Sequence, residues 1–265
     1  MKQKKLKITI IIIIILILIS ITLPSTRSYI IMSIYSAIED SKSVMYKNSF
    51  KIDVPSSNGW YPFVITFNTG NFGSWSNTDA DMSIMYNFAQ FKLNTQSSDI
   101  FNPDSPKHSS FYGAYALQQD DGYFGYKDDV VDLEEIVLTF VYDYRFLVLE
   151  DLNCKNSVFE VIDAKMEDNI KYLNSDGWTK LDATIKTNAM LHNYKENHTS
   201  YMQYGKPRTE VDEEFPIIKM YGRLYIKPFD EYNSTIILYV MSPNMETIDE
   251  CDMEILRNIK IVSTD

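Results

Sequence analysis

The sequence predicts an α+β protein, a mixed or antiparallel sheet packed by a few helices and preceded by one N-terminal transmembrane helix. Three observations predict it. Stretches with strand chemistry outnumber those with helical spacing and come in consecutive groups. Apolar residues at helical intervals are confined to segments near 29–47, 162–173 and the C-terminus. Residues 8–23, finally, are sixteen uncharged and mostly apolar positions directly behind Lys2, Lys4, Lys5 and Lys7.

That run sets the expected address. As a helix it reaches roughly 24 Å, slightly short of the roughly 30 Å hydrocarbon core of a bilayer. It exceeds the about 7 to 15 apolar residues usual in a secretory signal, and its exit, Leu23-Pro24-Ser25-Thr26-Arg27-Ser28, makes a poor cleavage site. No cysteine lies near the end of the run to carry a lipid. Four lysines before it outnumber Arg27 after it, and this bias holds the N-terminus in the cytoplasm and sends the body across. Residues 1–28 therefore read as a cytoplasmic basic end plus a single-pass signal-anchor, and residues 29–265 as an extracytoplasmic, cell-envelope domain. Secretion after signal cleavage is the competing expectation.

Elements follow from local period and punctuation. Ile31, Ile34, Tyr35 and Ile38 predict a helix that packs on the domain. Phe50, Ile52 and Val54 alternate with Lys51 and Asp53, and 62–67 is an apolar run between turn-rich flanks, so both read as strands. Residues 68–81 and 94–110 are rich in turn formers and read as long loops. Further strands are expected at 82–93, 111–117 and 136–149, the last because Phe140, Tyr142, Tyr144 and Phe146 alternate with Asp143 and Arg145. Ile162, Met166, Ile170 and Leu173 predict a helix stopped by Asn174-Ser175-Asp176-Gly177. Strands near 215–227 and 235–241 precede a last helix opened by Ser242-Pro243, with Met245, Ile248, Cys251, Ile255 and Ile259 on one face.

Charge narrows the partners. The chain carries 25 basic and 36 acidic residues, and all five charges in 1–28 are basic, which leaves the body at −16. Such a body repels nucleic-acid phosphate, anionic headgroups and wall polyanions, so no nucleic-acid partner is expected. Cys154 and Cys251 are an even pair in an oxidising compartment and a candidate disulfide, whose loop of about 100 residues gives up to about 4.7 kcal/mol in the chain-entropy model.

Chemical motifs are sparse. His108, His192 and His198 fit no common zinc spacing, and no CxxC is present. Asn77, Asp79 and Asp81 open like a calcium loop, but Met82 and Phe88 stand where it requires Gly and Glu. Asp120-Asp121-Gly122 with Asp128 and Asp129 reads as a hairpin turn and its flank. Ser109 and Ser110 beside His108 form no nucleophile elbow, and Gly70 and Gly73 form no phosphate cradle. Trp60 and Trp75 lie in Gly/Asn-rich loops and are the candidate ligand-contact aromatics, while Trp178 follows a turn. No cofactor or metal is expected. The functional expectation is a membrane-anchored binding or interaction module with a protein or cell-wall partner. The alternative is an envelope glycan or peptide hydrolase using paired carboxylates, whose diagnostic feature is their separation in space.

Overall fold

The computed structural model describes residues 9–18, 33–55, 63–88, 104–145, 158–188 and 217–264. At its centre is a seven-stranded sheet in the order β2-β3-β4-β10-β9-β8-β7, antiparallel throughout. The strands are β2 (Phe63–Asn68), β3 (Asp81–Phe88), β4 (Phe111–Gln118), β7 (Phe159–Tyr172), β8 (Ser175–Thr187), β9 (Ile218–Phe229) and β10 (Ser234–Ser242). Two small ribbons join it: β1 (Phe50–Asp53) with β11 (Lys260–Ser263), and β5 (Tyr126–Lys127) with β6 (Val130–Val131). The predicted α+β class, a large antiparallel sheet with a few helices, is the class observed.

Helices cover both faces of the sheet. On one face α5 (Leu133–Tyr142) sets Phe140 against Tyr115 of β4 and Tyr239 of β10, with ring centroids 5.0 and 5.4 Å away. On the other, α6 (Met245–Glu254) buries Ile248 and Cys251 against β10 and β9. There too α3 (Val44–Lys47) donates its Val44 N–H to Ser83 of β3. With both faces covered, β10 is buried at every position, and STIILYVMS accordingly reads as a nearly continuous apolar run.

The sheet's two edges are managed differently. Helical residues 33–40, α2, run beside β2, where Ser36 Oγ accepts the Thr66 N–H and the Glu39 carboxylate accepts the Asn68 N–H. Edge amides that would template another strand are thereby satisfied. Tyr35 adds a ring contact with Phe67, whereas Ile34 and Ile38 are exposed, so this helix docks through a face other than the expected isoleucine one. Edge strand β7 is instead broken by bulges and carries Lys165 and Glu167 at exposed positions, which also discourages pairing.

Three expected elements are corrected. Residues 136–145 do not form a strand: Asp132 caps α5, accepting from the Glu134 and Glu135 amides, and a π turn at 143–145 follows, while 146–149 lie outside the described residues. Residues 162–173 are not a helix but most of β7. The expected helix stop is a two-residue hairpin, with Leu173 and Asn174 at φ 47° and 60°. The last helix is capped by Asn244 rather than Ser242, ends at Glu254 and leaves Met245 exposed, while Ile255 and Ile259 are buried just beyond it. The loop expected at 68–81 contains the short helix α4 (Phe72–Ser76). The acidic hairpin turn falls on Asp128-Asp129, at φ 52° and 65° between β5 and β6.

At the N-terminus the described helical residues are 9–18, α1, in which Ile10 to Leu18 are each about half exposed. Among the described residues no helix is long and apolar enough to cross a membrane.

Candidate functional site

A cavity of about 790 Å³ opens where the β7–β8 turn, the end of β9, the segment after α6 and β11 converge. Its wall combines aromatic rings with cations. Trp178 of β8 lies edge-on between Tyr172 and Phe229, at 5.9 and 5.6 Å, and is fully buried, with no acceptor for its Nε1–H among the described residues. Lys227 holds its Nζ 4.9 Å from the centre of the Phe229 ring while donating to Ser175 Oγ and the Asp176 carbonyl. This is a cation–π contact with the ammonium fixed in direction.

Two further cations are less engaged. Arg257 is 60 % exposed and its nearest carboxylate, on Asp252, is 3.9 Å away, too far for a hydrogen bond. Lys260, at the start of β11, is exposed and has no carboxylate partner among the described residues. Asp230 and Glu231 also line the cavity, and Asp230 accepts a hydrogen bond from Tyr123 at 2.5 Å. On a chain of net charge −11, a cavity with three cations and two carboxylates is locally the opposite of the average surface.

Next to it, a charged network ties α6 to the sheet. Arg223 of β9 donates to Asp182 at 2.7 Å, Asp249 at 2.8 Å and Asp252 at 3.3 Å. Asp252, nearly buried on α6, also accepts from Tyr172 and Tyr225, both at 2.8 Å, and these two rings stack at 3.6 Å. Every carboxylate here is already engaged, so the cluster reads as a structural clamp.

A third feature lies on the opposite face. Asp143, in the turn after α5, is fully buried and accepts from Tyr115 at 2.6 Å, while among the described residues its Oδ1 and the hydroxyls of Tyr144 and Tyr239 have no hydrogen-bond partner. Burial pushes the Asp143 carboxyl well above the usual carboxylate range, and raises Tyr115, Tyr144 and Tyr239 likewise. An acid raised on folding keeps its proton in the native state after the unfolded chain has lost it. Its contribution to stability is thus complete below the unfolded value and is lost as pH rises through the folded one. Asp143→Asn keeps the shape and removes the titration. It is expected to raise stability at pH 7 by about 1 kcal/mol or more relative to its effect near pH 3. Urea melts of both proteins at the two pH values check this, and an equal effect at both would contradict it.

The residues singled out in the sequence fall elsewhere. Trp75, in α4, is partly buried, with its ring 6.3 Å from Phe72 and 5.3 Å from Tyr142. Trp60, Cys154, His192 and His198 lie outside the described residues. Cys251 is a buried free thiol, pushed up by burial, so the candidate disulfide has one placed member. Ser110 Oγ donates to Ser242 Oγ in the core, and Ser109 Oγ is 3.5 Å from Nδ1 of its neighbour His108. Asp81 pairs with Lys47 at 2.6 Å, and among the described residues no group of three or more His, Cys, Asp or Glu is placed to hold a metal.

Lys227, Arg257, Lys260 and Asp143 escaped the sequence reading. Arg257 and Lys260 are three residues apart, but Lys227 comes from distant β9, so no local pattern joins all three; Asp143, a lone acid amid apolar residues, was a legible signal. Comparison of the chain with protein-family models, curated proteins and solved structures finds no match.

Proposed function

We propose that the chain is a membrane-anchored binding module. Residues 8–23 hold it in the bilayer, and the α+β domain stands outside the cytoplasm, available to a protein or cell-wall partner. The observation that carries this reading is the uncharged run itself, with four lysines behind it and only Arg27 directly ahead. The half-exposed isoleucines and leucines of α1 support it, since a row of apolar side chains that finds no place in a core is suited to lipid. Binding rather than catalysis is supported by the cavity, whose cations and aromatic rings are a recognition surface.

The test is a C-terminal fusion to an enzyme active only outside the cytoplasm. Activity is the expected result, together with N-terminal sequencing that recovers uncut chain from membranes. A silent fusion beside an active cytoplasmic one would contradict the reading, and recovery of a chain beginning near residue 26 would replace the anchor with a cleaved signal.

A further inference from the structure

We infer that the cavity captures the carboxyl-terminal end of an extended peptide, with the peptide backbone adding to the free edge of β11 and its terminal carboxylate held by Arg257 and Lys260. This deepens the binding-module reading by naming the partner's chemistry, but it does not depend on where the membrane lies.

The ladder leaves one side of β11 open among the described residues. β11 pairs only with β1 among the described residues, and the Thr264 N–H reaches the Ser49 carbonyl at 2.9 Å. In an antiparallel pair, hydrogen-bonded and non-hydrogen-bonded partners alternate. Since Phe50 faces Ser263 and Ile52 faces Ile261, the hydrogen-bonded pairs are Ser49 with Thr264, Lys51 with Val262 and Asp53 with Lys260. The N–H and C=O of Ile261 therefore lie on the edge away from β1, and Ile261 lines the cavity. An incoming strand finds one donor and one acceptor there, as in strand addition to other sheet edges.

The cations define the ligand's charge. Arg257 presents a planar guanidinium with no hydrogen-bonded partner among the described residues, and Lys260 on β11 adds an ammonium. Lys227, by contrast, has two of its donors committed, which suits it to fixing the floor beside Phe229. A peptide ending in one carboxylate behind apolar residues satisfies these groups at little net charge, so the negative field of the chain does not repel it. A polyanionic glycan would suffer that repulsion along its whole length.

The experiment uses the full chain, purified in detergent, and a random octapeptide pool with free C-termini beside the same pool C-terminally amidated. The expected result is enrichment from the free-acid pool only. Synthetic winners should bind at least tenfold more weakly after amidation, and at least tenfold more weakly to Arg257→Gln and Lys260→Gln, with Lys260→Arg restoring part of the loss. Both positions are exposed, so the variants should melt like the parent, and Lys127→Gln, on the β5–β6 ribbon, should bind like it. Hydrogen exchange should show the Ile261 amide slowed by the peptide. Equal recovery from the amidated pool, no enrichment, binding of polygalacturonate alone, or unaltered binding by both glutamine variants would each overturn the inference. Any of these with an active C-terminal fusion would leave the topological reading standing.

Discussion

Gly113→Ala is expected to destabilise the native fold severely. Gly113 sits in β4 between β3 and β10, and a Cβ built there would lie 1.9 Å from the Met85 carbonyl oxygen and 3.1 Å from its carbonyl carbon. Those atoms are backbone of β3, in a ladder where Tyr86 faces Gly113 and Met85 faces Ala114. No rotamer change relieves such a contact, so β3 must move and the ladder must break. Overpacking a core commonly costs about 1–3 kcal/mol, and a clash with central backbone belongs at or above that upper end. Set against a typical stability of about 5–15 kcal/mol, a loss of that size removes a large fraction of the total. Gly222→Ala is the control, since its Cβ would meet the Met241 sulfur at 2.6 Å, the mobile part of a flexible side chain. Thermal melts followed by circular dichroism check the pair: a strong loss for Gly113→Ala beside a loss under about 1.5 kcal/mol for Gly222→Ala. Equal melting of Gly113→Ala and the parent would contradict the packing of β3 on β4.

The second large effect is expected from Arg223→Met, with a loss of about 3 kcal/mol. Removing one partner of a buried ion pair costs about 3–5 kcal/mol, chiefly because the other charge is left without compensation. Here that charge is Asp252, only 5 % exposed, which keeps the Tyr172 and Tyr225 hydroxyls and so falls at the lower end. Asp249, 54 % exposed, contributes little. Arg223→Lys keeps the charge but loses the forked geometry and should cost less. Combining Arg223→Met with Asp252→Asn should recover part of the loss, a coupling of about 1–3 kcal/mol in a double-mutant cycle by urea melts. Strict additivity would show that the clamp does not exist.

The clamp and the buried acid respond oppositely to pH. Burial alone would raise the Asp182 carboxyl, but hydrogen bonds from Lys180 and Arg223 outweigh it and hold the group below its ordinary value. Its stabilisation is present above the unfolded carboxylate range and is lost as pH falls through the depressed value. Asp143 loses its share as pH rises.

What was legible in the sequence was whatever had a single local interpretation. The runs Phe63 to Asn68, Phe111 to Gln118 and Ser234 to Ser242 have strand chemistry and are strands. The β7 segment failed because Ile162, Met166 and Ile170 are four apart, a spacing that satisfies both a helix and the period of two of a strand. The decisive partner was β8, which the helical reading had reduced to a stop signal and what followed it. Segment α5 failed the other way: its aromatics alternate, but Asp132 and Glu135 form an acidic start three residues apart, a helix signal that outweighs alternation. The cavity was illegible for a different reason. Arg257 and Lys260 are neighbours in the chain, but Lys227 of β9 and the rings beside it reach them only through tertiary packing, which no local pattern encodes.

The most direct test of the account is protease digestion of intact cells expressing the chain with a C-terminal epitope, compared with digestion after lysis. The expected result is cleavage of the epitope-bearing body in intact cells while the short basic end stays with the membrane. Protection of the body until lysis, with recovery of the chain in the cytosolic fraction, would contradict it.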